Sequence, residues 1–132
     1  MYRIGELAKR CGLSAEALRY YEKERLLTPS QRSASGYRLY DATHEAQVHF
    51  ILKAKALGLT LEEIRELLDI KLEPNAHSCA EVKAITSAKL SLIEQKIHEL
   101  TRIQQALRKI NDACCGHEHS ASHCSILAAL DD

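Results

Sequence analysis

The stretch Ile4-Gly5-Glu6-Leu7-Ala8-Lys9-Arg10-Cys11-Gly12-Leu13-Ser14-Ala15-Glu16-Ala17-Leu18-Arg19-Tyr20-Tyr21-Glu22-Lys23-Glu24 decides the fold. Ile4, Leu7 and Ala8 fall on one face of a helix, and the run stops at Cys11-Gly12-Leu13. Ser14 follows as an N-cap, so a second helix is expected from Ala15 to about Glu24. Two short helices joined by a glycine-containing turn read as a helix-turn-helix, with Leu7, Leu13 and Leu18 as its small core. Leu26 to Pro29 breaks the second helix. Ser33-Ala34-Ser35-Gly36 is a turn, and Tyr37-Arg38-Leu39-Tyr40 beside it alternates and is rich in β-favouring tyrosine, so a two-stranded wing is expected.

Past the wing, Thr43 is the expected cap of a third helix running to about Leu57, where Gly58 stops it. Thr60-Leu61-Glu62-Glu63 has the capping-box pattern and opens a fourth helix to about Leu68, with Pro74 ending that segment. Ser78-Cys79-Ala80-Glu81 repeats the pattern, and from there to Asp112 neither glycine nor proline interrupts a run of good helix formers. One long helix follows. Leu90, Ile93, Ile97, Leu100 and Leu107 keep the three-four spacing of a coiled-coil seam, with Ile103 and Ile110 alongside, and a seam of that length needs a partner. Gly116 closes the helix. Ser125-Ile126-Leu127-Ala128-Ala129-Leu130 supplies one or two final helical turns.

With 132 residues the chain is the size of one ordinary domain, so its core is modest if part of its apolar surface serves a partner. Hydrophobic residues are 45% and charged residues 27%, a composition that folds instead of remaining disordered. No stretch approaches the roughly 20 apolar residues that span a bilayer, and Met1 leads into a polar amphipathic pattern instead of a signal peptide. A cytoplasmic location with no membrane partner is expected. The net charge of zero conceals an asymmetry: residues 1–40 carry eight Lys/Arg against four Asp/Glu, and residues 41–132 carry ten against fourteen. The basic part is the helix-turn-helix, where phosphate binding would need it.

That head concentrates nucleic-acid chemistry. Arg19, Tyr20, Tyr21 and Lys23 lie on the second helix, and Arg32, Tyr37, Arg38 and Tyr40 on the wing. Arginine reads guanine or clamps phosphate, and tyrosine hydroxyls anchor the backbone. One of Tyr20 and Tyr21 is expected to pack beneath the wing. Tyr2-Arg3-Ile4-Gly5-Glu6-Leu7-Ala8, Leu18-Arg19-Tyr20-Tyr21-Glu22 and Gly36-Tyr37-Arg38-Leu39-Tyr40 together resemble the winged-helix head of MerR-type regulators. The long helix and cysteine-rich tail are similar to that family's dimerisation and sensor regions, so the resemblance spans essentially the whole chain. It implies a homodimer on double-stranded promoter DNA with an over-long spacer, distorting that DNA on induction so that RNA polymerase can use it. It also implies DNA contacts by Arg19, Tyr37 and Arg38; Tyr20 and Arg32 join them as candidates on residue type and position.

The second constellation is Cys114-Cys115-Gly116-x-x-His119-x4-Cys124, three thiolates and an imidazole within eleven residues. Sulfur with one nitrogen suits zinc and its heavier relatives and excludes magnesium and calcium. Five cysteines cannot all pair within one chain, and a reducing compartment disfavours disulfides. Cys79 stands at the start of the long helix, about 50 Å from its end at ~1.5 Å per residue. It therefore cannot share a metal with the loop of its own chain, whereas antiparallel pairing of two long helices brings it beside the loop of the partner. Metal occupancy is then coupled to the dimer's arrangement. Similarity to the zinc-responsive members of the family implies two zinc ions per protomer, shared across the interface. Cys114 and Cys124 would hold one, Cys115 and His119 the other, and Cys79 of the partner would bridge both. Copper-sensing relatives carry serine at the position of Cys79, so a third thiolate favours a divalent ion; cadmium- and lead-sensing relatives keep that cysteine and give the alternative reading. Iron-sulfur members carry a tighter four-cysteine run that is absent here.

Cys11 reads as structural, His117 and His123 as bystanders, His77 as a neighbour of Cys79, and His44, His49 and His98 as solvated or packing residues. The expected architecture is mainly α: a winged helix-turn-helix DNA-binding head (1–41), connecting helices (42–77), a long antiparallel coiled-coil dimerisation helix (78–112), and a metal-binding loop with a short terminal helix (113–132). Two other classes fit the sequence less well. A zinc hydrolase or thiol oxidoreductase finds only Glu118 as a nearby general base and no Cys-x-x-Cys. A zinc buffer or chaperone leaves the basic head without a task.

Overall fold

A computed structural model describes residues 1–131; Asp132, the last residue of the C-terminal segment, lies outside the described residues. The chain divides into two compact units, Met1–Thr86 and the part from Ser87 onward.

In the first unit, α1 (Ile4–Cys11) and α2 (Ala15–Lys23) form the helix-turn-helix. Gly12 takes the left-handed conformation at φ +69°, and the Leu13 N–H reaches the Ala8 carbonyl at 2.9 Å. This six-to-one closure ends α1 and turns the chain within two residues, a geometry that favours glycine. Ser14 Oγ accepts from the Ala17 N–H at 3.1 Å, so the expected cap starts α2. The wing is β1 (Gln31–Arg32) antiparallel to β2 (Arg38–Leu39), with Gln31 opposite Leu39 and Arg32 opposite Arg38. Its tip is closed by Ser33, whose N–H meets the Tyr37 carbonyl at 2.8 Å and whose Oγ accepts from the Tyr37 N–H at 3.1 Å. A two-bond bridge between Tyr2 and Tyr40 pins the end of the wing to the chain's first residues.

α3 (Ala42–Ala56) begins two residues earlier than the sequence suggests. Asp41, not Thr43, is its cap: Asp41 Oδ1 accepts from the Thr43 and His44 N–H groups, and the His44 ring accepts from the Asp41 N–H at 3.1 Å. A histidine at the third helical position thus does the work usually given to Glu or Gln. α4 (Leu61–Leu72) carries the expected box, Thr60 Oγ1 accepting from the Glu63 N–H at 3.2 Å and Glu63 Oε1 from the Thr60 N–H at 2.8 Å. It continues four residues beyond Leu68 because nothing stops it before the Glu73-Pro74 step, where the proline restricts the preceding residue. A 3₁₀ turn, Pro74–Ala76, leads to α5 (Cys79–Asp112).

Leu7, Leu18, Tyr21, Tyr40, Val48, Ile51 and Ile64 are the centre of the core. It draws on α1, α2, the wing's end, α3 and α4, and Leu13 packs against its edge. Tyr21 is the buried member of the tyrosine pair and Tyr20 the exposed one. The unit from Ser87 onward is different: its described residues include none that is buried. Leu90, Ile97, Leu100, Ile103 and Leu107 on α5 are between 55% and 64% exposed. After α5 come a loop, a 3₁₀ turn (Ala121–His123) and α6 (Ser125–Asp131).

Candidate metal centre and nucleic-acid interface

The face of the head is organised by one carboxylate. Glu22 of α2 accepts from the Tyr40 hydroxyl at 2.8 Å, the Ser30 hydroxyl at 3.0 Å and Arg38 Nη1 at 3.3 Å. Burial pushes the Glu22 carboxyl up, but the Tyr40, Ser30 and Arg38 donors outweigh it and hold it below the usual range. The wing is thereby fastened to α2. Arg38, Tyr37 and Gly36 of the wing, Arg19 of α2, and Arg3, Glu6 and Lys9 around α1 line one shallow groove. Arg3 stacks on the Tyr37 ring at 4.2 Å.

Of the candidate DNA residues, Arg19, Tyr37 and Arg38 come together on this groove. Tyr20 is exposed on α2 outside it, and Arg32 Nη1 donates to the Gly36 carbonyl at 2.9 Å, stiffening the wing's turn. Arg3 and Lys9 were not singled out from the sequence. Their signal was their place just before and within the first helix, which only the fold turns toward the wing. Four cationic side chains converging on one exposed groove suit a phosphate backbone.

The other site is the loop after α5. The Cys114 N–H caps the helix end on the Asn111 carbonyl at 3.2 Å, and Gly116 turns the chain at φ +72°. Ser120 caps the 3₁₀ turn that brings Cys124 back. The Cys124 sulfur faces the backbone N–H groups of Leu127 and Ile126, which lower its pKa against desolvation, and the Cys114 thiol lowers it further by a hydrogen bond. Cys114, Cys115, His119 and Cys124 line one hollow of the loop. Within it the Cys115 sulfur and one ring nitrogen each of His117 and His119 lie within 4.8 Å of one another. His117, read from sequence as a bystander, sits in this cluster; its signal was the alternate spacing Cys115-x-His117-x-His119.

Cys79 is exposed as the first residue of α5. His77, beside it, pairs with Glu81 at 2.6 Å and keeps the Glu81 carboxyl low. Cys11 lies half-buried at the end of α1, and burial, then the Glu45 charge, pushes its thiol up, as suits an unreactive packing residue.

A basic winged head on a thiolate- and imidazole-bearing sensor loop defines a helix-turn-helix transcriptional regulator that responds to metal. The family described as MerR HTH family regulatory protein matches residues 2–71, and that described as MerR, DNA binding matches residues 45–110. The chain belongs to the MerR family. It is 45% identical over 131 residues to the HTH-type transcriptional regulator ZntR of Escherichia coli (strain K12), covering 99% of this chain and 93% of that one. Among solved structures it is similar to the transcription regulator PbrR691 from Ralstonia metallidurans CH34 in complex with lead(II), at 35% identity and TM-score 0.87, covering 98% of this chain and 99% of that one. It is also similar to MerR from Bacillus megaterium MB1 in complex with mercury(II), at 32% identity and TM-score 0.72, covering 99% and 100%. Both regulators hold a soft metal ion. Among the described residues no helix is long and apolar enough to cross a membrane.

Proposed function

We propose that this protein is a zinc-responsive transcriptional activator of a metal-efflux gene, acting as a cytoplasmic homodimer that distorts promoter DNA. The observation that carries the reading is the cluster of the Cys115 sulfur with the His117 and His119 ring nitrogens, in a hollow also lined by Cys114 and Cys124. Two ligand groups on one loop suit two zinc ions per protomer, and sulfur with imidazole nitrogen is a donor set for zinc and not for magnesium or calcium. Cys79 of the partner protomer bridges both groups. When bound, zinc supplies the cross-link between the loop and the start of the partner's long helix.

The protein's own residues do the rest. The exposed apolar positions Leu90, Ile97, Leu100, Ile103 and Leu107 are covered by the same helix of a second copy. Arg19, Tyr37 and Arg38 hold the duplex, with Tyr20 and Arg32 supporting the helix and wing that carry them. A change in the dimer's arrangement alters the spacing of the two heads, and the promoter pays the deformation that lets RNA polymerase engage it. The reading includes no catalytic step.

The test is a competition titration of the reduced apo dimer with buffered zinc, cadmium, lead and copper(I), run beside Cys79→Ser. Two tightly held zinc ions per protomer and weak copper(I) binding are expected. Cys79→Ser is expected to abolish zinc-induced transcription while leaving DNA binding nearly unchanged. A single tight site that holds cadmium or lead far better than zinc would move the inducer to a toxic heavy metal. Wild-type activation by Cys79→Ser would remove the inter-subunit site.

A further inference from the structure

The loop offers one more ligand than the Cys115 and His119 group requires. His117 brings its ring nitrogen into the same 4.8 Å cluster. The His117 and His119 rings stand nearly perpendicular, at 84°, with centroids 5.7 Å apart, so they converge at an angle instead of stacking face to face. Two other histidines are occupied locally: His44 is hydrogen-bonded to Asp41 and Thr28, and His77 to Glu81. Among the described residues no hydrogen bond occupies the His117 or His119 ring. Their nitrogens remain available for a metal.

We infer that His117 is a metal ligand: with Cys115 and His119 it forms a three-point zinc site within one protomer, which the partner's Cys79 closes to a tetrahedral set of two nitrogens and two sulfurs. The proposal rests on the zinc-responsive reading of the loop and adds a ligand to it. Tetrahedral zinc with Zn–S near 2.3 Å and Zn–N near 2.0 Å sets its ligand atoms about 3.5 Å apart. The three atoms are within 4.8 Å already, and all three side chains are exposed, so the remaining movement of roughly 1 Å is a matter of free rotation about side-chain bonds. Three ligands inside five residues also close only a short loop around the ion, with little further chain entropy to lose. A two-sulfur, two-nitrogen tetrahedron is a zinc arrangement, so His117 weights this site toward zinc by geometry and ligand type.

Two consequences separate this site from one built on Cys115 and His119 alone. All four positions are filled by protein, leaving none for water or an exogenous anion. And one ion per protomer keeps three ligands when Cys79 is replaced, so it stays bound in the Cys79→Ser dimer although induction is lost.

The experiment uses the full-length reduced dimer in three forms, wild type, His117→Ala and His123→Ala. Zinc affinity is measured by chelator competition, and the histidine ring nitrogens are followed by ¹⁵N NMR. For the wild type, two zinc ions per protomer and a zinc-dependent shift of the His117 ring are expected. His117→Ala is expected to weaken one of the two ions by about 100-fold, the upper end of what even an outer-shell change costs, and to leave the other unchanged. His123→Ala is expected to match the wild type. Two ions held at wild-type affinity by His117→Ala, with an unmoved His117 ring in the wild type, would overturn the assignment while leaving the zinc reading intact. Failure of the wild type to bind zinc tightly would overturn both.

Discussion

Glu22 is the residue on which the DNA-facing surface depends, because its two carboxylate oxygens tie Ser30, Arg38 and Tyr40 to α2. Its folded-state pKa lies below the ordinary range, against about 4.3 for a free glutamate. The contribution is therefore complete above that unfolded value and is lost as pH falls through the folded value. Glu22→Gln keeps the shape and removes the charge, and is expected to cost about 1–2 kcal/mol at pH 7. Urea titrations of both proteins at pH 7 and at steps below pH 4 should show that gap closing with acid; a constant gap would assign the loss to packing. None of this was legible in the chain, since Glu22 reads as one more charged residue on an amphipathic helix. That His117 clusters with Cys115 and His119 was not legible for a related reason. The position of its ring depends on where the chain goes after Gly116, and a loop's path is set by few local preferences. That Cys114, Cys115, His119 and Cys124 gather in one hollow was readable, because sulfur is scarce and these residues stand close together in the sequence.

At the scale of elements, most of the fold was visible because helix ends are written in short local codes. Ser14, the Thr60–Glu63 box and the Ser78–Glu81 box all make the bonds their spacing implies. The start of α3 was misplaced because an imidazole replaces the usual carboxylate or amide in its box, so Asp41 did not fit the expected pattern. The end of α2 breaks another habit. The Leu26 N–H closes on the Tyr21 carbonyl at 2.8 Å, the six-to-one bond that ended α1, but Arg25 and not glycine occupies the left-handed position at φ +61°. A side chain there is strained, by about 1 kcal/mol or more. Arg25→Gly relieves that strain while loosening the unfolded chain, so a net gain of roughly 0.5 kcal/mol is expected. A thermal midpoint raised by a few degrees would agree, and an unchanged or lower one would show that the exposed arginine contributes as much as its backbone costs.

For the whole molecule the decisive contrast is between a first unit with a closed core and a second with no buried residue among those described. A 34-residue helix with a continuous apolar stripe does not gain its stability from propensity alone, because isolated helices are marginal in water and most helical stability comes from covering the apolar face. If a second copy covers it, folding of that unit is tied to association, and the thermal midpoint of α5 rises with protomer concentration. Leu100, 64% exposed at the middle of the stripe, is the position to test. Leu100→Glu would set two carboxylates into the shared seam, where burying unpaired charge costs several kcal/mol per ion. Sedimentation equilibrium is then expected to show a monomer, and far-UV circular dichroism a loss of helix on the scale of α5, while the core around Leu7, Leu18 and Ile51 stays folded. Zinc capacity should fall toward the one ion per protomer that Cys115, His117 and His119 hold on their own, since the partner's Cys79 is no longer at hand. A Leu100→Glu protein that remained dimeric at micromolar concentration would place the interface on another face of α5, and the coupling between metal and promoter would have to run through that face instead.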